Sequence, residues 1–229
     1  MNFKIEELTD EFKSIFIKTG GWNNKCPISL ERLRKVQISH INFKNELKSG
    51  ELLVLDVVAE NVINIFKSLL FAEFPINSIK LLSAYNYCDN ISMEDNNSSC
   101  FNNRAIAGTK VLSIHSYGLA IDINPLQNPM VSDFKIELWK TNCSIYPSKG
   151  KDYLNRANLR PGMVEPIVDI FFKNGFDIWG GSWNEIVDYH HFQVNRQLAE
   201  KLSSSEIGIV YCLWKEHIKK LQTKRLQCN

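Results

Sequence analysis

The sequence predicts a globular protein of mixed α and β structure, because helical and strand-like patterns of apolar residues occur in the same chain. Apolar residues recur at helical spacing between residues 51 and 73, whereas residues 118–124 alternate as in a strand. The 229 residues are 44% hydrophobic, which is enough to form a sizeable core. We therefore interpret residues 1–229 as a single domain.

Helical patterns account for much of the predicted structure. Four segments have them: residues 1–22, 51–73, 165–174 and 197–227. Phe74-Pro75 ends the second of these helices and Gly175 ends the third. The last segment is a basic C-terminal helical extension, with a break expected near Ser203–Ser205.

The remaining segments predict strands and loops. Buried strands are expected at residues 79–85 and 118–124, and Asp122 falls on the face of the second strand opposite its Leu and Ile side chains. The polar residues 88–104 predict a surface loop, and residues 128–160 predict an irregular insertion that forms a lid or rim. Loops on a rigid scaffold often carry binding groups.

Charge and hydropathy exclude several classes of function. The net charge of +2 gives no general attraction to nucleic acid, so no nucleic-acid partner is expected. The basic end of the last helix fits the favourable effect of cations near a helix C-terminus, and a nucleic-acid-binding tail is a weaker alternative. No apolar stretch reaches the roughly 20 residues that span a bilayer, so no membrane span is expected.

The cysteines and two of the histidines are interpreted as structural. The six cysteines form no CxxC pair, which makes a zinc ribbon or a redox dithiol unexpected. They are small buried hydrophobes by default, although Cys88 and Cys100 are the best candidates for a disulfide in an oxidising compartment. His40 and His217 are interpreted as structural histidines.

Two short segments contain the ligands of a hydrolytic zinc site. His115 and Asp122 lie seven residues apart, and His191 follows Asp188 by three residues. A catalytic zinc ion typically has three protein ligands and one open position. His115, Asp122 and His191 are the predicted ligands. Adjacent strand residues point to opposite sides, so only one of His190 and His191 is expected to meet the metal. The role of His190 stays open between an alternative ligand, a proton-transfer group and a substrate contact.

The remaining charged residues suggest how such a site works. Zinc lowers the pKa of water to roughly 7, and the Asp188 carboxylate is placed to accept the proton of that water. Amide hydrolysis also develops negative charge on the carbonyl oxygen, which a nearby cation stabilises. Arg104, at the end of the polar segment before His115, is the candidate for that cation.

These motifs resemble those of a known enzyme family. Ser113–Asp122 has the pattern Ser-x-His-x-x-Gly-x-Ala-x-Asp of peptidase family M15, the zinc D-Ala-D-Ala peptidases, and Asp188-Tyr-His-His191 resembles its second motif. Trp179-Gly-Gly-Ser-Trp183 adds to the resemblance, which covers roughly residues 26–194 as the peptidase core. The resemblance implies an α+β fold of the hedgehog/DD-peptidase type, with a small antiparallel sheet flanked by helices.

The resemblance also implies roles for individual residues. It assigns zinc to His115, Asp122 and His191, the catalytic acid or base to Asp188, and substrate binding to Ser113. One position departs from the family, whose members often have an arginine in an Ala-Tyr-Arg motif. This chain reads Ala84-Tyr85-Asn86, so either Arg104 supplies the missing charge or the activity is weakened.

The sequence thus predicts a Zn²⁺-dependent peptidase acting on peptidoglycan stem peptides, first as a D-alanyl-D-alanine carboxypeptidase. The alternatives are an L-Ala-D-Glu endopeptidase and a zinc-containing binding module without catalysis. A carboxypeptidase needs a cation for the substrate carboxylate, and Lys110, Lys149 and Arg156 are candidates.

The expected place of action is the cell wall, in the periplasm or outside the cell. Residues 1–22 contain several acidic residues and do not resemble a secretory signal, so the export route stays open. The oligomeric state also stays open.

Overall fold

A computed structural model of the chain describes residues 1–137 and 140–227, and Cys228 lies outside the described residues. The predicted α+β class is confirmed, because helices pack beside several small sheets. Three of these sheets are antiparallel and have three strands each, and one parallel pair was not predicted.

The N-terminal sheet was not predicted. Strands β1 (Lys4–Glu7), β2 (Leu33–Ile41) and β3 (Leu47–Leu55) form it in the order β1-β2-β3. The prediction of one helix over residues 1–22 is wrong, because the helix α1 covers only Asp10–Lys18. Thr9, just before that helix, accepts a hydrogen bond from a backbone amide of its first turn and so caps it.

The central helix begins later than predicted. Helix α2 covers Ala59–Phe71, and a 3-10 turn at Asp56–Val58 precedes it. The predicted start at residue 51 is wrong because Leu52–Leu55 belong to β3, where all four side chains are buried. A short continuous apolar run fits a buried strand as well as a buried helix, so periodicity alone did not separate them.

The predicted strand at residues 79–85 is mostly wrong. Strand β4 contains only Ser78–Ile79, and the chain then forms a 3-10 turn at Leu82–Tyr85. Asn86 ends this turn in the left-handed conformation, with φ of 51°. Asparagine tolerates that conformation better than most residues, which gives this position a local structural reason to be Asn.

The polar segment 88–104 is not simply a surface loop. Helix α3 covers Asp89–Glu94, and strand β5 (Asn97–Ser98) pairs in parallel with β4. Residues 96–102 are buried, which corrects the prediction of an exposed loop. Several of these side chains form hydrogen bonds within the protein: Asn97 Nδ2 donates to the Lys80 carbonyl, and Asn96 Nδ2 donates to Gln127.

Residues 128–160 contain regular structure that the sequence did not reveal. After strand β6 (Ala120–Asp122), strands β7 (Met130–Glu137) and β8 (Lys140–Tyr146) form an antiparallel hairpin. A 3-10 segment at Ser148–Tyr153 follows. The prediction of an irregular insertion is therefore wrong for its first half.

The helix predicted at residues 165–174 is confirmed. A 3-10 turn at Glu165–Ile167 continues into helix α4 (Val168–Lys173). Gly175 follows with φ of +95°, as expected of a glycine that ends a helix.

Two small sheets carry the C-terminal motifs. Each is short: the strands that the C-terminal segment adds are β9 (Ile178–Trp179), β10 (Val187–Asp188) and β11 (His191–Gln193). One sheet has the order β6-β11-β9 and the other the order β10-β7-β8. The strand predicted at residues 118–124 is confirmed as β6, but both of its faces are buried.

The C-terminal segment is helical, with the break that the sequence suggested. Helix α5 covers Arg196–Ser204 and helix α6 covers Ile207–Gln227. Trp214 of α6 is buried and donates a hydrogen bond to Asn61 of α2, so the extension packs against the rest of the protein. Among the described residues, no helix is long and apolar enough to cross a membrane.

The cysteines, and the two histidines interpreted as structural, differ in their environments. Cys88 and Cys100 are free, so the disulfide considered for them is not present. His217 Nε2 lies 2.9 Å from the Gly175 carbonyl oxygen, which fits a structural role. His40 is buried and neither of its ring nitrogens has a hydrogen-bond partner.

Candidate metal centre

The strand register places two of the predicted ligands side by side. Strands β6 and β11 are antiparallel, and Asp122 lies directly opposite His191. Directly opposed residues project to the same face of a sheet, so these two side chains meet there. The third ligand, His115, comes from a 3-10 turn at Ile114–Tyr117, just before β6.

A glycine allows this turn to approach the core. Gly118 ends the turn in the left-handed conformation, with φ of 64°. A Cβ atom at this position would lie 2.7 Å from the backbone nitrogen of Leu55, which is too close for any side chain. The glycine of the His-x-x-Gly pattern therefore lets the end of the turn that carries His115 approach strand β3.

The three side chains converge on one point. His115 Nε2 lies 3.2 Å from His191 Nδ1 and 3.1 Å from Asp122 Oδ2, and His191 Nδ1 lies 2.9 Å from Asp122 Oδ1. Ligands about 2.0–2.1 Å from a tetrahedral zinc ion lie roughly 3.3 Å from one another. The two ring nitrogens are thus separated from each other and from the Asp122 carboxylate by nearly the spacing of ligands around a zinc ion.

Hydrogen bonds fix which ring nitrogens carry protons. The Nδ1 of His115 lies 2.5 Å from the Cys100 carbonyl oxygen, which can only accept, so this nitrogen is the donor. In the same way, His191 Nε2 lies 2.8 Å from Gln193 Oε1. In the neutral imidazoles, the lone pairs of His115 Nε2 and His191 Nδ1 therefore face the Asp122 carboxylate.

This arrangement needs a positive charge. All three side chains are buried, and their facing atoms carry lone pairs or negative charge. Burial lowers the pKa of His191, but contact with Asp122 outweighs that effect and raises the pKa. Burial also opposes ionisation of Asp122, yet the adjacent imidazoles hold its pKa well below the usual range. The donor set therefore fits a divalent cation, and His115, Asp122 and His191 could hold a metal ion.

Asp188 lies beside this cluster at the end of strand β10. Its backbone is approached closely by the turn at Gly180–Ser182, since a Cβ at Gly180 would lie 2.5 Å from the Asp188 carbonyl oxygen. The Asp188 side chain is 11% exposed. It is thus a nearly buried carboxylate with some access to solvent, three residues before a candidate ligand.

His190 points away from the candidate metal. Its Nδ1 donates to the Asn128 carbonyl at 2.8 Å, and its Nε2 lies 2.9 Å from Asp188 Oδ1. The latter contact has the distance of an ion pair. It does not have the alignment of a hydrogen bond, so Asp188 Oδ1 has no hydrogen-bond partner. Burial lowers the pKa of His190, but the charges of Asp188 and Asp122 raise it to about 10.

Arg104 has a different environment from the one predicted for an oxyanion-stabilising group. Its guanidinium lies 2.6 Å from Asp89 Oδ2, and the side chain is 33% exposed. Only its backbone is tied to the turn that carries His115, through hydrogen bonds with Ser113 and Ser116. Among the described residues, no contact joins the Arg104 side chain to the metal ligands.

The other predicted residues also have defined positions. Ser113 is buried, and its Oγ accepts a hydrogen bond from the His115 amide at 3.3 Å, so it caps the turn. Asn86 is exposed and lines a cavity against α1 instead of contacting the ligands. The Arg156 guanidinium is paired with Glu165 and therefore not free for a substrate carboxylate, whereas Lys110 and Lys149 are exposed.

Sequence reasoning missed three groups that surround the ligands. They are the Cys100 carbonyl, the Gln193 side chain and the Trp183 ring, whose centroid lies 5.5 Å from that of His191. Gln193 had a readable signal, because it follows His191 by two residues and so shares its face of the strand. The Cys100 carbonyl had none, because a backbone group carries no sequence signature.

A family comparison covers the segment that contains the cluster. Residues 107–194 match the M15 peptidase family model described as D-alanyl-D-alanine carboxypeptidase, which confirms the predicted family resemblance and supports a hydrolase. The match includes all three candidate ligands and Asp188, and begins later than the predicted core of residues 26–194. No curated protein and no solved structure has significant similarity to the chain.

Proposed function

Proceeding from the M15 match over residues 107–194, we propose that the protein is a zinc peptidase that hydrolyses an amide in the stem peptide of bacterial peptidoglycan. The observation that carries the proposal is the convergence of His115, Asp122 and His191 inside the matched segment. A fold of the hedgehog/DD-peptidase type and an action on the cell wall outside the cytoplasm belong to the same proposal.

Zinc is the preferred metal because of the donor set. Two imidazole nitrogens and one carboxylate oxygen form the type of three-ligand site found in catalytic zinc enzymes. When bound, zinc supplies Lewis-acid chemistry, since it polarises a carbonyl group and lowers the pKa of a water molecule to roughly 7. Cys100 contributes its backbone carbonyl to orient His115, and burial raises the pKa of its thiol, so this cysteine stays protonated.

The chain's own residues provide the proton transfers. Asp188 accepts a proton from the attacking water and later gives it to the leaving amine, as a carboxylate within reach of both groups can. Its position beside His191 but outside the ligand set leaves it available for this role. Arg104 is proposed to stabilise the negative charge on the carbonyl oxygen, which requires its guanidinium to turn from Asp89 toward the substrate.

The carboxypeptidase reaction is the first form of the proposal, because the matched family model carries that description. Cleavage inside the stem peptide is the alternative. Ser113 is proposed to contact the substrate, and its hydroxyl already caps the turn that holds His115. Of the candidate cations for a terminal carboxylate, Lys110 and Lys149 are favoured, because Arg156 is engaged with Glu165.

A muropeptide digest tests the proposal. The zinc-loaded protein is incubated with purified pentapeptide muropeptides, and the products are identified by mass spectrometry, with the Asp122→Ala variant as control. Loss of one terminal alanine is expected for a carboxypeptidase, and a cut between L-Ala and D-Glu for an endopeptidase. Intact substrate after incubation with zinc-containing wild-type protein contradicts the proposal and favours a binding module without catalysis.

A further inference from the structure

A buried histidine next to the candidate ligands has no role in the proposed chemistry. His190 is 3% exposed, and both of its ring nitrogens contact protein groups rather than the metal site. Its Nδ1 donates to the Asn128 carbonyl, and its Nε2 faces Asp188 Oδ1 at 2.9 Å. The ring therefore bridges a fixed backbone carbonyl and the proposed catalytic carboxylate.

The backbone carbonyl is fixed because Asn128 is held on every side. Its side chain is fully buried and uses both ends of its amide. The Nδ2 group donates to three backbone carbonyls, those of Ile123, Asn124 and Gly162. The Oδ1 atom accepts from the Val164 amide and from the Arg156 guanidinium. Such a fully satisfied network gives a rigid support for His190.

Arg156 ties this support to the segment that contains Asp188. Its guanidinium makes a bidentate ion pair with Glu165, at 2.5 and 2.6 Å, which fixes its plane. The same guanidinium lies over the Tyr189 ring, 4.3 Å from its centroid. Because Tyr189 lies between Asp188 and His190 in the chain, the arginine restrains both ends of the contact.

We infer that His190 is a positioning residue that holds the Asp188 carboxylate in place, supported by the Asn128–Arg156 network. The inference rests on the proposed function. A general base must lie about 2.6–3.2 Å from the atom whose proton it accepts. An error of about 1 Å in such a group can cost on the order of 100-fold in rate. When His190 restrains Asp188 Oδ1, the other oxygen of the Asp188 carboxylate has a defined position.

Kinetics of two His190 variants test this role. His190→Phe removes both nitrogens, and we expect kcat to fall about 10- to 100-fold with KM and bound zinc unchanged. His190→Gln retains a donor near the Nε2 position and should recover most of the lost rate. A rise in KM alone, or a loss of zinc, would overturn the assignment.

A double-mutant cycle separates positioning from general damage. In the Asp188→Asn background, His190→Phe should cause no further loss of kcat, because the group that it positions is already inactive. Arg156→Gln should lower kcat, whereas Arg34→Gln serves as a matched control, since Arg34 pairs with Glu7 on the N-terminal sheet. Losses that multiply in the double variant would contradict the inference.

Unfolding of the metal-free protein provides a readout that does not depend on activity. The shifts of the urea midpoint caused by Asp188→Asn and His190→Phe should be non-additive, because the two side chains are in contact. Additive shifts would overturn the inference even if the enzyme is active. Intact muropeptides after incubation with zinc-loaded wild-type protein would instead refute the proposed function, while the unfolding cycle would still decide whether the contact exists.

Discussion

The candidate metal centre and Arg104 are both attached to the turn at Ile114–Tyr117, but their side chains are held differently. His115, Asp122 and His191 are buried, and hydrogen bonds to Cys100 and Gln193 fix both imidazoles. The Arg104 side chain is one-third exposed and is paired with an acidic partner outside the cluster. The difference indicates that the candidate ligands are preorganised, whereas the proposed oxyanion group must move before it can act.

Removal of a ligand should have the largest effect. Loss of a residue that supports a ligand from outside the ligand set typically lowers metal affinity about 10- to 100-fold. His115→Ala removes one of three donors, so zinc affinity should fall by more than that. Zinc content after dialysis, measured by atomic emission, checks this expectation. His217→Ala is a matched control, because that histidine lies near Gly175 and should leave zinc content unchanged.

Loss of the Asp188 carboxylate should separate chemistry from metal binding. Asp188→Asn is expected to retain zinc and to lower kcat by about 100- to 10,000-fold, the usual contribution of a general acid or base. Steady-state hydrolysis of a muropeptide, together with zinc content, measures both effects. Turnover at the wild-type rate would show that another group accepts the proton.

Substitutions of Arg104 and of its partner Asp89 test whether the Arg104 guanidinium acts on the substrate. Arg104→Gln should lower kcat by on the order of 100-fold if the guanidinium stabilises the developing charge. Asp89→Asn releases the guanidinium from its ion pair and should leave kcat within a few-fold of wild type. If Arg104→Gln and Asp89→Asn behave alike, the arginine has a structural role only.

His40 contrasts with the candidate ligands, because it is a buried histidine whose ring nitrogens have no hydrogen-bond partner. Burial, with the nearby charge of Lys48, lowers its pKa to about 4 from an ordinary value of 6.5. The unfolded chain therefore binds a proton between these pKa values that the folded protein does not, and stability falls as the pH drops through this window.

Urea unfolding measures this contribution. It should amount to about 2 kcal/mol less stability at pH 5 than at pH 7.5. His40→Leu should remove that part of the pH dependence, because the leucine does not titrate. An unchanged difference between the two pH values in the variant would show that His40 is not the source.

The smallest expected effect concerns the support of one ligand. Gln193→Leu removes the acceptor that fixes the His191 tautomer, and zinc affinity should fall about 10-fold. Competition with a fluorescent chelator measures the affinity. Gln197→Leu, outside the cluster, is the control.

The sequence predicted which three side chains converge better than it predicted the scaffold. His115, Asp122 and His191 belong to short motifs whose residue types are demanded by metal chemistry, so their convergence could be expected. Strand β3 was read as the start of a helix, because Leu52–Leu55 is a continuous apolar run without strand alternation. The segment that forms the hairpin of β7 and β8 is flanked by prolines and has few periodic signals, so its sequence predicts irregular structure.

Long-range contacts account for what could not be predicted at the site. The polar segment around Cys100 is buried because it packs against β6, and the Cys100 carbonyl accepts a hydrogen bond from His115 Nδ1. Likewise, nothing in the sequence pairs Arg104 with Asp89 or links His190 to Asn128. Such contacts depend on the fold and leave no local pattern.

Zinc K-edge X-ray absorption of the protein tests the central claim most directly. One zinc ion per chain should have only nitrogen and oxygen neighbours, at about 2.0–2.1 Å, with the scattering pattern of two imidazoles. A sulfur shell at about 2.3 Å would contradict the claim, because it would place zinc on cysteines and not on His115, Asp122 and His191.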